Sequence, residues 1–113
     1  MTESSEKNIA QLQMYEQQLQ NFGMQRQQFQ LQMVEIENAL QELEKTKEKP
    51  FKIVGSLMIQ TEKSTLQQEL QSRKEVLALR VKNLEKQETQ LKEKAEKLQQ
   101  EVFHQLQQKE GKK

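Results

Sequence analysis

His104 is the only histidine in a chain that has no cysteine and no aspartate. A metal ion needs several His, Cys or carboxylate ligands converging on one point, and His104 has no such company, so it reads as a surface residue and no metal is expected. Serine and threonine hydroxyls are present, but no base with a third, orienting group accompanies them, as nucleophilic catalysis requires. Gly23, Gly55 and Gly111 are too far apart to form a phosphate-cradling loop. Glu93 and Lys97 stand four residues apart, the ordinary pairing of a solvated helix face. The chain is therefore expected to be no enzyme and to carry no cofactor. What the chain does offer is apolar side chains near both ends of the sequence. Ile9, Leu12 and Met14 cluster near one end of the sequence and Val102, Phe103 and Leu106 near the other. Burying one such side chain contributes roughly 1.5–3 kcal/mol, a weak and reversible contact, and methionine adapts to irregular partners because it is flexible and polarizable.

The elements that hold these residues follow from composition and period. Hydrophobic residues make up 33% of the 113, charged residues 31% and aromatics 4%; glutamine occurs 22 times. Such a chain cannot enclose a broad core, but it can bury a narrow seam along helices rich in Gln, Glu, Lys and Leu. From Leu12 to Leu43 the series Leu12, Tyr15, Leu19, Phe22, Arg26, Phe29, Met33, Ile36, Leu40, Leu43 advances in alternating steps of three and four, apolar at every position but Arg26. This is a heptad seam, and it predicts a first helix over 8–48, roughly 60 Å long at ~1.5 Å per residue. Leu70, Leu77, Leu84, Leu91 and Leu98 recur every seven residues, with Lys74, Val81, Glu88, Ala95 and Val102 at the complementary positions. They predict a second helix over 64–108, capped by Ser64 or Thr65 with Gln67 or Gln68 as the box partner. The whole chain, 1–113, reads as a single domain with frayed ends at Met1–Lys7 and Gln107–Lys113.

Between the helices the period changes. Pro50 cannot continue a helix, and Ile53-Val54 and Met58-Ile59 flank Gly55-Ser56. Gly followed by Ser suits a type II′ two-residue turn, so a β-hairpin is expected over 51–60. Val54 then faces Leu57, Ile53 faces Met58 and Lys52 faces Ile59. Folding about this turn pairs positions whose numbers sum to about 111, which brings Met33 to Leu77, Phe29 to Val81, and Arg26 opposite Leu84–Glu88, where Glu85 or Glu88 would match its charge. The hairpin carries apolar groups on both faces and two open edges. A lone hairpin is marginal in water, and open apolar edges invite pairing with another chain. Phe51, Ile53, Val54, Gly55, Leu57, Met58 and Ile59 are therefore the candidate oligomerisation residues, forming a shared sheet or barrel. Leu31, Val34, Leu66, Val76 and Leu79 lie off the seam and would pack on neighbours.

Charge excludes other classes. The net charge is +1, too little to draw nucleic acid or an acidic membrane, and residues 62–73, ahead of the leucine repeat, are not the basic helix a zipper protein needs. No apolar run reaches the ~20 residues of a membrane span, and none near the N-terminus has the length of a signal peptide; the cytoplasm is the expected location. The two halves differ in sign: residues 1–50 carry five basic and eight acidic groups, residues 51–113 thirteen and nine. Lys109, Lys112 and Lys113 form a basic tail, either a solvated end or a contact for an acidic partner surface. A structural or tethering coiled-coil scaffold is the alternative that the heptads alone leave open.

Helix, then Phe-Lys-Ile-Val-Gly-Ser-Leu-Met-Ile at 51–59, then a leucine-heptad helix that includes Leu77-Ala78-Leu79-Arg80-Val81 and Leu84-Glu85-Lys86-Gln87-Glu88, resembles the β subunit of prefoldin, particularly of the archaeal type, over residues 8–106. The aromatic-Lys-x-x-Gly hairpin is the most specific element. The short basic lead-in Thr46-Lys47-Glu48-Lys49-Pro50 departs from the longer acidic loop frequent in that family and leaves the end of the first helix open. The resemblance implies an antiparallel two-helix coiled coil whose central hairpin joins an oligomeric β-barrel platform. It implies a hexamer of two α-type and four β-type subunits, in which a chain with one hairpin is a β. It implies an ATP-independent holding chaperone that binds non-native proteins at the coiled-coil tips and passes them to a group II chaperonin. Ile9, Leu12, Met14, Val102, Phe103 and Leu106 would then be the tip residues that meet clients, with closure of the coil's end as the alternative for Ile9, Val102 and Leu106.

Overall fold

A computed structural model describes residues 3–111, with side chains described through Gln107; the basic tail of Lys109, Lys112 and Lys113 lies outside the described side chains. Four elements follow in order: helix α1 (Glu3–Lys45), strands β1 (Phe51–Val54) and β2 (Leu57–Gln60), and helix α2 (Lys63–Gly111). They fall into two compact units, one made of residues 27–82 and one of residues 1–26 with 83–113.

The unit of residues 27–82 holds the hairpin and the helical segments that flank it. Its core is the expected seam. Ile36, Leu43, Leu77 and Val81 are buried, and Phe29, Met33, Leu40, Leu70 and Lys74 are half-buried. Arg80 lies over the ring of Phe29, 5.7 Å from its centroid, a cation–π contact at the rim of the seam. Lys74, at a seam position where an apolar residue would ordinarily stand, turns its ammonium out to the Glu37 carboxylate. Among the described residues no large side chain is fully enclosed, because two helices can cover a side chain from only two sides.

Helix α1 ends three residues before the expected Glu48. The Thr46 amide donates to the carbonyls of Glu42 and Leu43, at 3.1 and 3.2 Å, and its hydroxyl donates to Glu42 O at 2.8 Å. These bonds close the last turn, and Pro50 disfavours helical geometry at the residue before it. The expected cap of α2 is also corrected. Ser64 and Thr65 lie inside the first turn, and the residue that accepts the first helical bond is Glu62, whose carbonyl takes the Leu66 amide at 3.0 Å.

The hairpin has the expected register, with Phe51 opposite Gln60, Lys52 opposite Ile59, Ile53 opposite Met58 and Val54 opposite Leu57. Gly55 has φ +62°, and no other described residue has a positive φ. A positive first central residue followed by a negative second one is the type II′ pattern, which only glycine enters at low cost. One more bond, from the Thr61 amide to Pro50 O at 3.0 Å, extends the ladder past β2.

In the other unit Leu84, Leu91 and Val102 are buried, and Leu12, Tyr15, Leu19, Phe22, Ala95 and Leu98 are half-buried around them. The Arg26 Nε–H donates to Glu88 Oε1 at 2.9 Å, inside the seam. The two charged seam residues of this unit thus satisfy each other, and of the two glutamates expected as partners of Arg26 it is Glu88, not Glu85, that pairs with it. Helix α1 begins five residues before the expected Asn8. Ser5 is buried, its hydroxyl donating to Gln105 Oε1 at 3.2 Å, with the Asn8 amide at 3.5 Å from the same oxygen.

Candidate functional site

In the hairpin the apolar side chains have nothing to bury against. Phe51, Ile53, Val54, Leu57, Met58 and Ile59 are all exposed, between 47% and 72%. The two faces alternate along each strand. Lys52, Val54, Leu57 and Ile59 share one, and Phe51, Ile53, Met58 and Gln60 the other. The sheet has only two strands, so the outward edge of each offers a row of backbone donors and acceptors. Local sequence accounts for the hairpin's existence: β-branched and large apolar residues favour extended backbone, and Gly55 supplies the turn. It does not account for the hairpin's anchoring, which rests on charged side chains that the sequence reading passed over. Lys52 bonds the Glu69 carboxylate on α2, and that hydrogen bond, ahead of any other influence, holds the Glu69 carboxyl below its ordinary pKa. Lys49 pairs with Glu62 at 3.1 Å. Lys63 donates to Glu44 O at 3.2 Å and Thr46 O at 3.1 Å. The one signal available beforehand was a lysine at the start of a helix, the end that disfavours a cation.

In the unit of residues 1–26 and 83–113 the six tip residues divide. Val102 is buried in the seam and offers little surface. Ile9 and Leu12 are half-buried. Met14, Phe103 and Leu106 are exposed, Phe103 at 62%. Phe103 sits one residue past the seam position of Val102 and lies along a shallow groove with Glu96, Gln99 and Gln100. The structure thus leaves three large apolar groups in solvent near the chain ends, set among neutral glutamines and charged residues.

Among the described residues no three His, Cys, Asp or Glu side chains converge as metal ligands, and no helix is long and apolar enough to cross a membrane. The arrangement is suited to apolar association at two separate places.

A family model described as "Prefoldin subunit" matches residues 6–109. The chain is similar to a protein named prefoldin subunit beta from Sulfurisphaera tokodaii, at 48% identity over 52 residues, 46% of this chain and 42% of that one. A prefoldin subunit beta from Pyrobaculum calidifontis is 47% identical over 58 residues, 51% of this chain and 46% of its own length. The matched stretches span less than half the length of these curated relatives. The crystal structure of the prefoldin beta subunit from Thermococcus strain KS-1 superposes with a TM-score of 0.86 at 34% identity, over 93% of this chain and 94% of that one.

Proposed function

The chain belongs to the prefoldin family, and on that premise we propose that it acts as a β-type subunit of an oligomeric, ATP-independent holding chaperone. Its hairpin joins those of further β copies and an α-type subunit in a shared β-barrel platform, in a hexamer of two α and four β. Its tips hold non-native proteins through Met14, Phe103 and Leu106, with Ile9, Leu12 and Val102 completing the apolar end, and the held chain passes to a group II chaperonin in the cytoplasm. The observation that carries this reading is the exposed hairpin: six apolar residues and two open strand edges in one short segment. Water does not leave such a segment unpaired at low cost, and strands from other chains satisfy its edges and its faces together. One tip makes only a weak contact. Several tips on one assembly raise avidity through effective concentration without further contacts.

The test is suppression of aggregation of a diluted, denatured protein without ATP, by the assembled complex and by the same complex lacking residues 102–113. Suppression that weakens on truncation, with assembly retained, is the expected result. A verified oligomer that suppresses nothing refutes the holding role and leaves a scaffold or tether.

A further inference from the structure

The cations at the junction of helices and hairpin belong to neither the heptad nor the strand pattern. Lys63 stands in the first turn of α2, which contains no acidic residue, at the end of a helix dipole that repels positive charge. Its ammonium reaches instead to the carbonyls of Glu44 and Thr46. Glu44 lies in the last turn of α1 and Thr46 one residue past its end, where carbonyls lack helical partners and the dipole favours a cation. Lys63 thereby ties the start of one helix to the end of the other, at the point from which the hairpin springs. Lys52, on β1, is tied to Glu69 on α2. Its strand face also carries Val54, Leu57 and Ile59, so the tether turns that face toward α2. Exposure leans the same way: Val54, Leu57 and Ile59 stand at 48%, 64% and 47%, against 56%, 72% and 68% for Phe51, Ile53 and Met58 on the other face.

We propose that Lys52 and Lys63 form a clasp that commits the hairpin to presenting its Phe51, Ile53 and Met58 face to the hairpin of a second prefoldin-type chain. The inference rests on the shared-sheet reading above and adds which face is the contact and which residues aim it. Another hairpin is the occupant because the open edges beside this face call for strand backbone, which a helix or a small apolar ligand does not supply.

Met58→Lys and Ile59→Lys separate the two faces. Both side chains are exposed in the single chain, so neither change burdens its folding. Each variant is mixed with the α-type subunit, and the concentration needed for assembly is read by sedimentation. Met58→Lys is expected to raise that concentration at least tenfold more than Ile59→Lys, and an equal or reversed ranking overturns the face assignment. Lys63→Met is expected to weaken assembly several-fold at unchanged helix content by circular dichroism, and Lys63→Arg to retain it. Assembly of Lys63→Met at the level of the unsubstituted chain overturns the clasp. Failure of the unsubstituted chain itself to assemble with the α-type subunit would instead refute the shared-sheet reading on which the proposal rests.

Discussion

Val81 and Val54 are the same side chain in two settings, 8% exposed in the helical seam and 48% exposed in the hairpin. The difference lies in what each period can bury within one chain. A heptad places its apolar residues on one stripe, and a second stripe from the same chain covers it. A two-residue period places apolar groups on both faces of a ribbon, and among the described residues there is no second sheet to cover either. The helical seam is satisfied internally, whereas the hairpin keeps its apolar side chains exposed. On the proposed reading, stability and assembly thus rest on different residues.

Substitutions can break that division. The largest expected effect is in the seam: Leu77→Ala removes a buried leucine and should cost about 2–3 kcal/mol in urea unfolding, near the low end for leucine truncation because two helices enclose it incompletely. Leu79→Ala, two residues on and exposed, should stay within ~0.5 kcal/mol; similar losses for the two would undo the contrast. Next comes the polar exception within the seam. Arg26→Met leaves Glu88 buried without its partner and should cost about 1–3 kcal/mol. Adding Glu88→Leu should recover that loss, and a double-mutant cycle gives the coupling directly. Smaller in stability, but not in activity, is Phe103→Ser. The ring is exposed, so unfolding should move by less than ~0.5 kcal/mol, while suppression of aggregation by the assembled complex should fall several-fold.

The smallest effect is the pH response of the hairpin's tether. The Glu69 carboxyl is held below its ordinary pKa by the Lys52 hydrogen bond. A carboxyl lowered in this way contributes stability above its unfolded pKa, and that contribution is lost as pH falls through the lowered, folded value. The tether should therefore hold at neutral pH and release on the acid side of the ordinary carboxylate range. Titration of the Glu69 carboxyl by NMR should show its pKa rising in Lys52→Met. An unchanged value would mean that Lys52 is not its partner in solution.

The same contrast separates what the residue pattern exposed from what it concealed. All ten seam positions from Leu12 to Leu43 are at least half-buried, as are the ten from Leu70 to Val102; counting back from the turn left Glu85 and Glu88 both open as the partner of Arg26, and the structure selects Glu88, the one at a seam position. The tip residues were legible as apolar but not as accessible. Val102 and Phe103 are adjacent, yet one is buried and the other exposed, because a step of one residue turns about 100° around a helix. The clasp escaped notice because it obeys no period: Lys63 reaches carbonyls 17 and 19 residues back across an irregular link and a turn.

The sequence by itself determined the two helices, the hairpin, its turn type and register, and the seam that pairs one helical segment with the other. Each of these is set by backbone geometry repeating at 3.6 or 2 residues, or by a glycine at the one position that needs positive φ. Only the tertiary structure decided which hairpin face turns toward α2, which tip side chains remain in solvent, and how Lys52 and Lys63 are used. Those outcomes depend on the direction in which the chain leaves each element, and a single long side chain reaching across the junction leaves no repeating trace in the sequence.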